Sequence, residues 1–183
     1  MTRYIAFLRA VNVGGHVVKM DQLRTLLGEL SGVSKIETHI ASGNVIFESS
    51  TRNPGSLEKR MSAHLQKSLG YEVATFIRTA AQVTAIAEHR AFPESELKDA
   101  HLYVGFLASA LSPAAKRTVM SFKTEVDDFH VHEREIYWLC RIRSHESEFS
   151  LARLEKALGI QATFRNSTTV RKLAALYGTP ISA

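Results

Sequence analysis

The first 79 residues alternate between short apolar runs and longer segments with apolar residues at helical spacing. Runs rich in aromatic and β-branched residues indicate buried strands at 4–8 and 71–78. Segments 35–40 and 45–48 are predicted to form two further strands joined by a tight hairpin turn. Two helices are predicted from apolar residues three or four positions apart, Met20, Leu23, Leu27 and Leu30 in the first and Leu57, Met61, Leu65 and Leu69 in the second. The order β-α-β-β-α-β is typical of a ferredoxin-like domain.

The same order recurs later in the chain, after a predicted helix at 82–88 and a polar connector at 93–96. The second set of predicted elements comprises strands at 101–108, 126–131, 135–140 and 162–165, helices capped by Ser112 and Ser147, and a last helix at 170–177. The pattern therefore predicts an α+β fold of two tandem ferredoxin-like halves with a C-terminal helix. The predicted boundaries are 1–79 for the first half, 80–100 for the helix and connector, and 101–183 for the second half with its final helix.

The composition excludes several classes of protein. With 45% hydrophobic residues among 183, the chain is neither disordered nor of low complexity. No apolar run approaches the roughly 20 residues that span a bilayer, and the N-terminus lacks the charged-then-apolar order of a signal peptide. The single cysteine, Cys140, excludes an internal disulfide and fits a reducing compartment. We therefore expect a cytoplasmic protein with no membrane partner.

Two loops rich in glycine are expected to meet at one edge of the first sheet. In a ferredoxin-like sheet the first two strands run the same way, so the end of the first strand lies beside the turn between the second and third. These loops and the cations near them supply the first set of candidate ligand-binding residues, Arg9, Asn12, Gly14, Gly15, Lys19, Ser42, Gly43 and Asn44. Glycines let a ligand approach the backbone N–H groups, and the net charge of +5 permits an anionic partner. Ordinary turn chemistry explains the same glycines without a ligand.

A second candidate anion site lies near the C-terminus. Asn166 or Ser167 is expected to cap the last helix, which leaves N–H groups and the positive end of the helix dipole beside Arg165. Arg165, Asn166 and Thr168 are therefore further candidate ligand-binding residues. The alternative is a capping sequence with a surface arginine.

Several of these segments resemble one bacterial family, catalogued as domain of unknown function 1697. The resemblance is strongest in 5–15 (IAFLRAVNVGG), at Lys19-Met20 and in 38–47 (THIASGNVIF), and it extends to 76–79 and 165–170. The resemblance implies two tandem ferredoxin-like halves, and it does not imply a particular reaction. The chain departs from the family at three positions, with Ala10 in place of the usual glycine, His39 in place of tyrosine and Ala41 in place of glutamine. Any contribution of that glutamine to a family site is absent here.

Reactive side chains give little indication of catalysis. Cys140 follows Tyr137, Trp138 and Leu139 on a predicted strand, which favours a buried, inert thiol. Ser42 lacks the first glycine of a G-x-S-x-G elbow. The sequence also contains neither G-x-G-x-x-G nor a Walker loop. No cofactor is expected, and whether the chain is an enzyme stays open.

His130 and His132 share one face of a predicted strand and could offer two metal ligands. No third ligand is obvious from the sequence, although His101 in the same half is conceivable. We therefore expect no metal site.

The leading hypothesis is a protein that binds a small phosphate-bearing ligand. The alternatives are a nucleic-acid-binding module that uses a basic sheet face, and a protein-interaction scaffold. The sequence does not indicate the oligomeric state.

Overall fold

A computed structural model describes residues 1–12, 14–40 and 43–179. The first set of elements is β1 (Thr2–Leu8), α1 (Met20–Gly28), β2 (Val33–His39), β3 (Asn44–Ser49), α2 (Pro54–Leu69), β4 (Thr75–Thr79), α3 (Ala80–Glu88) and α4 (Glu94–Leu97). The second set is β5 (His101–Leu107), α5 (Pro113–Met120), β6 (Asp127–His132), β7 (Glu135–Cys140), α6 (Leu151–Leu158), β8 (Ala162–Asn166) and α7 (Ser167–Tyr177). Within the described residues, none of these helices has the length and apolar character needed to cross a membrane.

The strands form two antiparallel sheets with the same topology, β2-β3-β1-β4 and β6-β7-β5-β8. In each sheet the first strand of the half lies between the third and the fourth, as in ferredoxin-like domains. The predicted fold class, two tandem ferredoxin-like halves with a C-terminal helix, is confirmed.

The chain divides into two compact units. Unit 1 contains residues 1–85 and the segment that begins at Leu173, and unit 2 contains Ile86–Lys172. In unit 1 the helix-facing side of the sheet packs on α1 and α2 through a cluster of buried residues that includes Tyr4, Ala6, Leu8, Leu23, Leu27, Phe47, Leu57, Met61 and Leu65. The corresponding cluster of unit 2 includes Leu107, Val119, Phe129, Ile136, Trp138, Cys140 and Leu154. Burial of these side chains is the main stabilising contribution to each unit.

Each half continues into one more helix, α3 after β4 and α7 after β8. Arg78 of β4 pairs with Ile5 of β1, and Arg165 of β8 pairs with Val104 of β5. The two arginines therefore occupy equivalent positions in the last strands of the two halves. Both arginines are buried, Arg78 at 1% exposure and Arg165 at 8%. The repeat therefore has seven elements, and the C-terminal helix is the counterpart of α3.

The starts of these two helices are capped by equivalent residues. In the first half, Gln82 N donates a hydrogen bond to Thr79 Oγ1 (3.1 Å), and Thr79 N donates to Gln82 Oε1 (2.9 Å). In the second half, Thr168 N donates to Asn166 Oδ1 (2.9 Å). Each cap satisfies N–H groups that a helix start leaves without a partner along the helix.

Several predicted boundaries are corrected by the structure. The cap of α6 is Ser150, whose Oγ accepts from Arg153 N, and Ser147 Oγ donates instead to Asp127 Oδ2 (2.7 Å). Strand β4 begins at Thr75, four residues later than predicted. Tyr71 is outside it, because its hydroxyl donates to the carbonyl oxygen of Val11. The predicted connector at 93–96 overlaps the short helix α4, which ends one residue later.

Candidate functional site

The loop after β1 and the turn before β3 lie against each other in unit 1. Leu8 N donates a hydrogen bond to the carbonyl oxygen of Gly43 (2.8 Å). A Cβ atom added to Gly43 would lie 2.8 Å from Val11 Cγ1 and 3.1 Å from Leu8 Cβ, so the two backbones approach closely. The predicted position of this turn beside the end of β1 is therefore confirmed. Ser42, the other residue proposed in that turn, lies outside the described residues.

This close approach predicts a large effect of Gly43→Ala. Gly43 has φ +76°, so alanine there is strained and also clashes with Val11. We expect a loss of about 2–3 kcal/mol in the free energy of unfolding, measured by urea denaturation. Gly70→Ala is the matched control, because Gly70 has φ +81° and open space around it, and its expected loss is about 1 kcal/mol. Equal losses for the two variants would contradict the close packing of the turn.

The loop of residues 9–19, which we call the Gly loop, is held at several points. Val18 N donates to Asn12 Oδ1 (2.7 Å), and Tyr71 donates to the carbonyl oxygen of Val11 (2.8 Å). The ring of His16 stacks on that of Tyr71 with 3.9 Å between centroids. Asn12 thus supports the conformation of the loop through its side-chain oxygen. The fixed ends leave Gly14 and Gly15 in the middle of the loop.

Gly14 and Gly15 are exposed and have φ +68° and +86°. Apart from the glycine itself and its neighbours in the chain, no described atom lies within 4 Å of a Cβ built on either residue. This part of the backbone is therefore open to a ligand.

Helix α1 begins directly after the Gly loop, and its start differs from those of α2, α5 and α6. Lys19 is the N-cap residue of α1, is exposed and makes no side-chain capping bond. The other three helices are capped by side-chain oxygens of Asn53, Ser112 and Ser150. The start of α1 therefore presents backbone N–H groups and the positive end of its dipole beside a lysine.

The remaining residues proposed for this edge are more enclosed. Arg9 is half-buried, and its backbone N–H donates to the carbonyl oxygen of Ala74 (2.8 Å). Asn44 is fully buried and donates from Nδ2 to the carbonyl oxygen of His39 (3.0 Å). Asn44 therefore ties the start of β3 to the end of β2. Of the two cations proposed for this edge, Lys19 is exposed and Arg9 is half-buried.

The second proposed anion site, in unit 2, is occupied by its own hydrogen bonds. Arg165 Nη1 donates to Thr163 Oγ1 (2.8 Å) and to the carbonyl oxygen of Phe164 (2.9 Å). Burial lowers the pKa of Arg165 to about 10, so the guanidinium stays charged at neutral pH. Asn166 Oδ1 accepts from both N–H and O–H of Thr168. Of the two candidate clusters, the Gly loop is the more accessible.

A group of three histidines in unit 2 was not found from the sequence. His89, His130 and His132 each offer a ring nitrogen, and these nitrogens all lie within 4.8 Å of one another. His101, considered as a third partner of the strand histidines, is not in this group. Burial, followed by the neighbouring histidines, lowers the pKa of both His89 and His130. No local sequence signal indicates His89, because it follows α3 and reaches the pair only through the tertiary fold.

Comparisons with known proteins support the fold and the family. A solved structure of a conserved bacterial protein from Streptococcus pneumoniae, SP0830, matches with a TM-score of 0.75 and 24% sequence identity, and the match covers 95% of this chain and 97% of that one. No curated protein sequence matches the chain. The profile of one family, described as "Protein of unknown function (DUF1697)", matches residues 1–137. On the extent of that match, the chain belongs to the DUF1697 family.

Proposed function

We propose that this protein binds a small phosphate-bearing ligand at the Gly loop. The observation that most supports the proposal is the start of α1, where Lys19 is exposed and provides no capping bond. Phosphate oxygens accept hydrogen bonds from backbone N–H groups at a helix start, and the helix dipole favours their charge. Lys19 would add a charge-assisted hydrogen bond.

The backbone of the Gly loop is a second feature that supports the same proposal. Gly14 and Gly15 are exposed at positive φ and carry no side chain of their own, which favours close approach of a ligand to their backbone. The bonds to Asn12 and from Tyr71 tie down described residues on both sides of these glycines before a ligand arrives. Less ordering of the loop is then needed on binding.

The burial of both sheet faces does not favour the nucleic-acid alternative. RNA-binding ferredoxin-like domains stack bases on aromatic side chains of an open sheet face. Here the face of the first sheet opposite α1 and α2 carries Ile5, Phe7 and Phe76, which are all at most 2% exposed. In the second sheet, Tyr137 and Phe106 are buried as well. We therefore place the anion at the loop edge of unit 1.

The proposal is tested by calorimetric titration with inorganic phosphate, a nucleoside monophosphate and a sugar phosphate. We expect the parent chain to bind at least one of them, and Lys19→Ala to bind about tenfold more weakly, which corresponds to one charge-assisted hydrogen bond. Lys59→Ala is the matched control, because Lys59 is an exposed lysine of α2 in the same unit. Its affinity should equal that of the parent.

Two outcomes would contradict the proposal. One is the absence of binding for all three anions, and the other is an equal loss of affinity in Lys19→Ala and Lys59→Ala, which would indicate diffuse charge attraction. A single-stranded RNA oligonucleotide is titrated in parallel. Tight RNA binding that falls steeply with added salt would favour the nucleic-acid alternative instead.

We infer a reducing compartment, the cytoplasm, as the setting of this function. Cys140 is the single cysteine of the chain, and it is free and buried. Its Sγ donates to the carbonyl oxygen of Ile142, and burial raises the pKa of the thiol. A protonated, enclosed thiol of this kind contributes to packing.

A further inference from the structure

We propose that His89, His130 and His132 form a binding site for one divalent transition-metal ion of the Zn²⁺ type. Strand β6 supplies two of the ligands, because residues two apart on a strand point to the same face. His89 directly follows α3 and reaches the same point from outside the sheet. All three residues belong to unit 2, so this site is separate from the Gly loop.

The distances fit a shared metal ion. With Zn–N bonds of about 2.0–2.1 Å, tetrahedral geometry places two ligand nitrogens about 3.3 Å apart. The observed separation of His89 Nε2 and His130 Nε2 is 3.2 Å. The candidate ligand atoms of the three residues lie within 4.8 Å of one another, and His132 is exposed. The proposal requires a side-chain rotation of His132, which moves its ring from the face of the His89 ring, 4.1 Å away between centroids, into the coordination sphere.

The surroundings hold two of the imidazoles in place. Tyr137 lies opposite His130 in the β6–β7 register, and its hydroxyl donates to the carbonyl oxygen of Ile86 (3.2 Å). That bond fixes the end of α3 three residues before His89. The ring of His89 also packs on the ring of Tyr137 with 5.0 Å between centroids. Such support of metal ligands by their neighbours raises affinity.

The chemistry of imidazole suits such an ion. A neutral imidazole has one ring nitrogen with a free lone pair, and metal binding selects this form of the side chain. The Nε2 atoms of His89 and His130 already lie 3.2 Å apart, so both can contact one ion.

The donor set indicates which metals would bind. Three imidazoles suit Zn²⁺, Cu²⁺ or Ni²⁺, whereas Mg²⁺ and Ca²⁺ require oxygen ligands. Three protein ligands leave a fourth position of a tetrahedral ion for water or another small ligand. The proposed site is therefore an open one, unlike a four-ligand structural zinc site.

The test is calorimetric titration of the metal-stripped, tag-free chain with Zn²⁺ at pH 7.5, alongside visible spectroscopy with Co²⁺. We expect one Zn²⁺ per chain and Co²⁺ absorption bands of a tetrahedral or five-coordinate ion. His132→Gln should weaken Zn²⁺ binding at least about tenfold, because even the partners of metal ligands contribute that much. His132 is exposed, so this variant should fold like the parent. His89→Gln should have the same effect.

The matched control is His101→Gln, an exposed histidine on β5 of the same unit, which should bind Zn²⁺ as the parent does. Lys19→Ala should also bind Zn²⁺ normally, which separates this site from the proposed phosphate site. Failure to bind one equivalent of Zn²⁺, or binding by His132→Gln equal to that of the parent, would overturn the proposal. Equal weakening in His101→Gln would also overturn it, because the metal would then be held by scattered surface histidines.

Discussion

Replacing Glu58 with alanine is expected to lower the free energy of unfolding of unit 1 by about 3–5 kcal/mol. Glu58 is only 7% exposed and lies 3.8 Å, Oε1 to Nη1, from Arg78, which is 1% exposed. The same Oε1 accepts a hydrogen bond from the backbone N–H of Ile77 (2.7 Å). Alanine would leave a buried guanidinium without this countercharge and a buried N–H without this acceptor.

Urea denaturation measures this loss, and two variants separate its causes. Glu58→Gln keeps an oxygen for the N–H of Ile77 and removes the charge, so we expect a smaller loss than for alanine. Glu72→Ala, at an exposed glutamate of the same unit, should change stability by less than about 0.5 kcal/mol. A loss for Glu58→Ala no larger than that of Glu72→Ala would show that the ion pair is not needed to keep Arg78 buried.

The second large effect is expected for Asp127→Ala in unit 2. Asp127 is 1% exposed, and its carboxylate accepts hydrogen bonds from Trp138 Nε1 (2.7 Å) and Ser147 Oγ (2.7 Å). Its Oδ2 also lies 3.3 Å from Thr124 Oγ1. Alanine removes the acceptor of a buried indole N–H together with a charge-assisted bond to Ser147. The expected loss is about 3–4 kcal/mol.

Thermal or urea denaturation followed by tryptophan fluorescence measures this loss, since Trp138 is the single tryptophan of the chain. Asp127→Asn keeps one side-chain oxygen as an acceptor and should lose about half as much. Asp99→Ala, at an exposed aspartate of the same unit, is the control and should be nearly neutral. If Asp127→Ala were as stable as Asp99→Ala, the three bonds to Asp127 would contribute nothing to stability.

The features that sequence predicts well here depend on local interactions. Helix α2, predicted from the spacing of Leu57, Met61, Leu65 and Leu69, is present, and its ends are set by local residues: Asn53 accepts from Ser56 N at the start, and Gly70 has φ +81° at the end. The meeting of the Gly loop with Gly43 follows from the topology, because strand order fixes which loops share an edge. The family resemblance seen in the sequence is confirmed by the match over residues 1–137.

The features that sequence does not predict depend on tertiary contacts. The pairing of Glu58 with Arg78 joins a helix to a strand 20 positions away, and neither residue differs in pattern from a surface charge. His89 lies beside His130 although 41 positions separate them in the chain, and Tyr137 contacts the end of α3 next to them. The sequence likewise does not predict that the side chains of Asn12 and Asn44 form hydrogen bonds with the backbone of Val18 and His39.

The central claim is that an anion binds at the Gly loop, and selective ¹⁵N-glycine labelling tests it most directly. The chain contains ten glycines, so a spectrum of this sample gives a small set of backbone signals. On addition of inorganic phosphate, we predict that the backbone signals of Gly14 and Gly15 shift most in the parent and need about tenfold more phosphate for the same shift in Lys19→Ala, while Gly159 is unchanged in both. Saturable shifts confined to glycines outside the Gly loop and its neighbour Gly43, or no shifts at all, would contradict the claim.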